Sequence, residues 1–301
     1  MLKSLITFVF SLGMLGLTSG VWAVTDSNSL IWGGCGITKH AFMAELAKAY
    51  EKKTGVKVNL QGGGATKGIR NATNGSIDIG GACRTTIEGH VEERNAYQVP
   101  VAWDALAVIV HKDNPVDNIT FRQLRDLYSG KITSWAQLGG PDLPVELYIR
   151  RGKISGVGRT LRELVFANYD QEFLGARYVE KSTGPLEKGI EKNKLGIGTT
   201  GISSAIRRDV KILKLNGKAP DYEHIKSGEY VLYRPLYLVT KGSQADQKVK
   251  DFITFALSNE GRAVISKAGS VPYSDAMGLV MKQIEQYDRA TEKGLYATKV
   301  E

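Results

Sequence analysis

Apolar and polar positions along this chain switch between a period of two and a period of three to four, and glycine marks most of the switches. Ser29-Leu30-Ile31-Trp32 reads as a short strand, GGCGITK as a glycine-rich turn, and HAFMAELAKAYEKKTG as an amphipathic helix. That helix presents Phe42, Leu46, Ala49 and Tyr50 on one face and stops at Gly55. VKVNLQ follows as a strand, GGGATKG as a second glycine turn, residues from about Ile69 to Asn74 as a helix, and SIDIGGA as a third strand. Two successive strand, turn, helix units predict an open parallel sheet with right-handed crossovers. The glycine turns then share one edge, at the carboxyl ends of the strands, where such sheets bind ligands.

The second half repeats the arrangement less regularly. ITFRQLRDLYSGKITSWAQLGG predicts a helix with a stop at Gly130, PVELYIRRG a strand, KISGVGRT a third glycine-containing turn and LRELVFANY a helix. LGIGTTGIS, VKILKLNG and YRPLYLVTKG read as strands, followed by one long helix, QADQKVKDFITFALSNEGRAVISKAG, and a charged C-terminal helix. There is no internal repeat and no floppy linker, and 301 residues suffice for two lobes.

The N-terminus narrows the setting. One early lysine precedes an apolar run broken by Gly13, Gly16 and Ser19, and Val21-Trp22-Ala23 fits a small-residue cleavage site. Residues 1–23 therefore read as a secretory signal cleaved near Ala23, which predicts a mature chain, from Val24, in an oxidising, extracytoplasmic space. Forty Lys and Arg against 31 Asp and Glu give a net charge of +9. The cations are scattered, without the basic run or interleaved aromatics of a nucleic-acid surface. GxSxG is absent, and His40, His90, His111 and His224 lack evident serine and acidic partners, which argues against a hydrolase. CxxC, CxxCH and HExxH are absent too, so no motif supports a metal or another cofactor.

KVNLQGGGATKGIRNATNGSIDIGGACR, TFRQLRDLYSGKITSW, RRGKISGVG, and RPLYLVTKG with FITFALSNEGRAVISKAGSVPY, taken in that order, resemble the periplasmic phosphate-binding proteins of bacterial ABC importers. The resemblance spans nearly the whole mature chain. It implies an α/β, two-lobed type II periplasmic-binding-protein fold, each lobe an open, mostly parallel sheet flanked by helices. Residues 24–107 plus 234–301 would form lobe I and residues 108–233 lobe II, joined by crossing strands near Trp103 to His111 and Tyr233 to Thr240. It implies a monomer that traps a small inorganic oxyanion between the lobes and delivers it to an ABC permease, without catalysis. Matching the family's loops makes Thr38, Lys39, Ala65, Thr66, Cys83, Arg84, Arg151, Ser155 and Gly156 the ligand set. Glycine turns that open helices supply free amides and the positive end of the dipole. Arg151 has the geometry of a bidentate clamp, with a surface pairing to a carboxylate as its alternative; for the threonines the alternative is helix capping. Lys67, like Lys39, follows a turn and would add positive potential there, with a solvated surface position as the alternative for both.

The departures from the family pattern carry information. An aspartate usually stands where this chain has Cys83, to accept the proton of hydrogen phosphate, and a thiol is a poor acceptor. KISGV replaces the family's DGSGT turn, with Lys153 and Val157 for the aspartate and threonine, and Ala65 lacks a hydroxyl. The pocket so implied is more positive and poorer in hydroxyls, and suits phosphate or another tetrahedral oxyanion. In this fold Cys35 and Cys83 follow neighbouring strands, close enough for a disulfide in an oxidising compartment. Two inert buried thiols, or a thiol pair that binds a soft ion or metalloid, with His40 nearby, remain open alternatives. So does a second role for the whole protein: a periplasmic sensor, or a binder of a thiol-reactive anion or metalloid, that signals to a membrane partner.

Overall fold

The computed structural model of the chain describes residues 28–242 and 245–292. The segment 1–23, read from the sequence as a secretory signal, lies outside them. Among the described residues no helix is long and apolar enough to cross a membrane.

Strand β1 (Ser29–Gly34) leads into helix α1, residues 36–54, whose second turn, Lys39–Met43, is π-helical and which ends at Gly55 with φ 74°. Glycine adopts that left-handed cap without a Cβ penalty. Next come β2 (Lys57–Gln61), α2 (Gly64–Thr73) and β3 (Ile79–Ala82). β1 pairs in parallel with both β2 and β3, as the sequence periodicity predicts. Gly68 of α2 lies against Gly33 and Gly81, where a Cβ would sit 2.8 and 2.9 Å from their carbonyl oxygens. This close approach holds the first turn of α2 over the strand ends. Gly81 in turn lies under the ring of the fully buried Trp32, with no room for a side chain.

The long strand β4 (Tyr97–His111) is continuously buried from Val101 onward, which fits a strand covered on both faces. A short strand β5 (Asn118–Ile119) and helix α3 (Phe121–Tyr128), opened by a capping box between Thr120 and Gln123, follow it. The chain continues through β6 (Glu146–Arg150), α4 over residues 156–166, β7 (Ala176–Glu180), α5 (Thr183–Lys192), β8 (Gly196–Gly201) and the one-turn α6 (Ile202–Ala205). Then come β9 (Val210–Ile212), β10 (Lys214–Leu215), α7 (Tyr222–Ser227) and β11 (Tyr233–Thr240). Helices α8 (Gln247–Leu257) and α9 (Asn259–Lys267), strand β12 (Val271–Pro272) and helix α10 (Gly278–Glu292) complete it.

The main sheet runs β2-β1-β3-β11-β4-β8-β6-β7, with β9 and β12 also on β4. β4 changes partners midway: Tyr97 to Ala105 pair with β11, and Leu106 to Val110 pair with β8. The strand thus joins two parallel groups, β2-β1-β3 and β8-β6-β7, through antiparallel ladders.

Three elements differ from the sequence reading. α2 begins at Gly64, five residues before Ile69, and α4 begins at Gly156, inside the segment read as a turn. The long helix predicted over residues 244–269 is two helices. Ser258 is extended between them and its hydroxyl caps α9 by accepting from Gly261 N at 3.2 Å, the competition that keeps serine out of helix interiors.

Candidate functional site

The first turns of α1, α2, α4 and α5 converge on one cavity of about 410 Å³ at the strand ends. Gly34 to Gly36, Gly62 to Ala65, Gly156 with Val157, and Lys181 to Gly184 line it from those four turns, together with Lys39, His40, Cys83, Arg150, Glu187, Ser204 and Arg208. Helix N-termini leave amide N–H groups without intrahelical acceptors and carry partial positive charge. Four cationic side chains, Lys39, Arg150, Lys181 and Arg208, face a single carboxylate, Glu187. That carboxylate is already engaged, accepting from Thr200 Oγ1 at 2.6 Å and from Arg208 Nε at 2.8 Å. The cavity therefore favours a small anion with several acceptor oxygens.

Arg150 occupies the place expected of Arg151. It ends β6, where successive side chains point to opposite faces, so a one-residue shift moves the guanidinium from solvent into the cavity. Arg151 is exposed; its backbone N–H donates to Glu180 O at 2.9 Å, and its side chain does not line the cavity. Arg150 donates from Nη2 to Lys181 O at 2.9 Å and from Nη1, weakly at 3.5 Å, to Thr183 Oγ1. Its Nε is buried with no hydrogen-bond partner, an exception to the rule that buried donors are paired. Burial lowers its pKa from the ordinary arginine value, and the adjacent Cys83 and Cys35 oppose the shift.

Arg84 is a brace, with no donor left over for a ligand. Its five N–H groups are all taken: Nε donates to Ile154 O at 3.0 Å, Nη1 to Thr85 O at 2.7 Å and Glu93 Oε2 at 2.8 Å, and Nη2 to Thr66 Oγ1 at 3.0 Å and Glu93 Oε1 at 2.8 Å. Thr66 is spent on the same network, donating to Ile154 O at 3.1 Å. Arg84 and Thr66 thereby tie the β3 side of the cleft to the loop before α4.

Thr38 is fully buried and points inward, its hydroxyl donating to Cys35 O at 2.9 Å, so it anchors the turn while its neighbour Lys39 lines the cavity. Ser155 caps α4, accepting from Gly158 N at 3.2 Å. Ala65, Cys83, Lys39 and Gly156 line the cavity as expected, whereas Lys67 is exposed outside it. The reading missed Arg150, the α5 first turn with Lys181, Ser182, Thr183 and Gly184, and Glu187 and Arg208. Ser182-Thr183-Gly184-Pro185 carries a helix-start signal that could have revealed the fourth turn.

The expected bridge between Cys35 and Cys83 is not formed: both are free and buried. Cys35 serves as the N-cap of α1, its sulfur accepting from Thr38 N at 3.4 Å and lying 3.0 Å from Thr38 Oγ1. Held there, it lines the cavity together with Cys83. The neighbouring Cys35 thiol lowers the Cys83 pKa to about 7; burial opposes, and Arg234 and Arg84 assist. Cys35 moves the other way, raised well above the ordinary thiol value by burial and then by Cys83. Beneath the pair, Arg234 donates from Nη1 to Cys83 O at 3.3 Å and from Nη2 to Asp104 Oδ2 at 3.2 Å. His40, also on the wall, is pushed below its ordinary pKa by burial and by Arg207.

A family model described as a PBP superfamily domain matches residues 33–260. The phosphate-binding protein PstS of Borreliella burgdorferi is 28% identical over 256 residues, covering 81% of this chain and 90% of that protein. The protein SphX of Synechococcus elongatus is 30% identical over 250 residues, covering 76% and 72%. A substrate-binding protein from Clostridium perfringens, assigned to phosphate ABC transport and solved with bound phosphate, matches with a TM-score of 0.74 and 29% identity over 81% of this chain and 99% of that one. An ABC-type phosphate transport receptor from Vibrio cholerae matches at a TM-score of 0.63 and 28% identity, with the same coverage.

Proposed function

Because the chain belongs to the PBP superfamily, we propose that it captures phosphate, or an anion of the same tetrahedral shape, in the cavity at the strand ends and delivers it to the permease of an ABC importer. The fold is the α/β type II periplasmic-binding-protein architecture expected from the sequence. The observation that carries the ligand class is the convergence of four helix first turns and Arg150, with its unpartnered Nε, on one cavity. A tetrahedral oxyanion has enough acceptor oxygens to satisfy amides from opposite walls at once.

In this reading residues 24–107 plus 234–301 and residues 108–233 are two lobes, and the partner change of β4 at Ala105 and Leu106 supports a boundary close to that division. The mature protein acts as a periplasmic monomer after cleavage near Ala23. In this reading it needs no cofactor, contacts no nucleic acid and performs no catalysis. The ligand set is Lys39, Ala65, Cys83, Arg150, Lys181 and Gly156 with the amides of the four turns, while Thr38, Thr66, Arg84 and Ser155 hold those turns in place.

Thermal unfolding of ligand-free mature protein, with phosphate, sulfate, arsenate, molybdate or tungstate added, tests the reading. Binding only the folded form at one hundred times Kd adds about 2.7 kcal/mol of stability, so at least one of these anions should raise Tm by several degrees. No shift with any of them refutes capture of a tetrahedral oxyanion.

A further inference from the structure

Cys35 and Cys83 both line the cavity, each directly following one of the paired parallel strands β1 and β3, with Cys35 N donating to Gly81 O at 3.2 Å. The oxyanion reading gives Cys83 a place on the cavity wall and Cys35 none, and a thiol there accepts poorly from a protonated anion. We infer that the same cleft captures a trivalent metalloid oxyacid, of which arsenous acid is the simplest, by condensing it with the two thiols. This inference shares the cavity with the oxyanion reading without resting on it.

The chemistry balances without an oxidant. As(OH)3 and two thiols give one dithiolated As–OH and two waters: two As–O bonds break, two As–S bonds form, each thiol proton leaves with a displaced hydroxyl, and arsenic stays trivalent. Thiolate is the attacking form of cysteine. Cys83 supplies it: the neighbouring Cys35 thiol and the guanidinium of Arg234, which donates to Cys83 O at 3.3 Å, both favour its charged form. Cys35 is fixed beside it by the helix cap and closes the second bond.

The surroundings select this class over other thiophiles. Soft ligands bind soft centres generally, but a linear two-coordinate cation needs sulfurs on opposite sides of it, whereas these two are adjacent. Lys39, Arg150, Lys181 and Arg208 repel a metal cation. An uncharged oxyacid suffers neither penalty. After condensation its remaining hydroxyl faces the same donors that would hold an oxyanion, including Arg150 Nε and the first turns of α2 and α4.

The test is native mass spectrometry of the reduced, ligand-free mature protein with sodium arsenite, with both thiols counted before and after by alkylation. The expected result is a 1:1 adduct heavier by one arsenic and one hydroxyl less two thiol protons, and loss of both alkylatable thiols. Excess phosphate should slow its formation, and C35S and C83S should each bind arsenite at least tenfold more weakly. Should either variant fail to fold, judged by circular dichroism, the wild-type mass and thiol count decide alone. An unmodified mass with both thiols still reactive, or an adduct of equal affinity in a single-thiol variant, overturns the inference. A separate phosphate titration of the same preparation reports on the oxyanion reading, so the two can fail independently.

Discussion

Replacing Arg150 by alanine removes a guanidinium that lines the cavity and carries a buried donor with no partner. In the free protein the side chain holds Lys181 O at 2.9 Å and reaches Thr183 Oγ1 at 3.5 Å, while Nε has no partner. The variant therefore loses one good hydrogen bond of its own, a stability cost of about 1 kcal/mol. A bound anion loses more: hydrogen bonds to charged groups contribute about 1.5–3 kcal/mol each, which converts to a phosphate affinity about 10- to 150-fold weaker. Arg150→Lys keeps the charge without the planar fork and should fall between the two proteins. Arg151→Ala is the matched control, because its side chain is exposed and outside the cavity; its affinity should stay within about twofold, in line with the small effects of surface substitutions. Isothermal titration calorimetry with phosphate, on protein freed of ligand by partial unfolding and dialysis, measures all four. Wild-type affinity in Arg150→Ala, or a larger loss in Arg151→Ala, would refute the assignment and return the clamp to the neighbouring residue.

Gly156→Ala should weaken phosphate binding at least tenfold with little change in unfolding temperature, because its methyl group would collide with Cys83 Sγ and sit 3.2 Å from Ala65 Cβ, holding the cleft open; unchanged calorimetric affinity would contradict this. Glu93→Gln breaks a buried ion pair on one side only and should cost about 3–5 kcal/mol in urea unfolding. Although burial opposes it, pairing with Arg84 holds the Glu93 carboxyl below its ordinary value of 4.5, so the stabilisation is complete above that pH and is lost as pH falls through the folded value; a stability gap between the two proteins that does not shrink on acidification would contradict it. A bound anion disfavours the Cys83 thiolate, whose pKa lies at about 7. Phosphate affinity should therefore fall with rising pH above 7, by up to about tenfold per unit, relative to Cys83→Ser in parallel titrations. Identical pH profiles for the two proteins would rule the coupling out.

The strand and glycine-turn architecture was legible because its signals are local. Gly55 and Gly130 stop helices where a positive φ is needed, and the glycines at 68 and 81 permit contacts no other residue allows. The site was legible by segment more than by residue. RRGKISGVG does deliver an arginine and a helix start, but which of two adjacent arginines faces inward depends on the register of β6 against β8, set by pairs such as Leu147 with Ile197. Arg84 reads as a ligand residue until Glu93, nine positions away in a short 3-10 turn, is found folded under it. Sequence spacing cannot show that all five donors are spent. The cysteines were correctly placed side by side; their state depends on a cap geometry at Cys35 that only the three-dimensional turn reveals.

If the anion sits where the four helix turns and Arg150 meet, a heavy tetrahedral oxyanion will be found there in a crystal of the mature protein. Arsenate serves, since arsenic scatters anomalously. One strong anomalous peak is expected inside the cavity, within hydrogen-bonding reach of the Arg150 guanidinium and of amides at the starts of α2 and α4 on opposite walls. A peak elsewhere, or an empty cavity at an arsenate concentration that saturates the protein in solution, would contradict it.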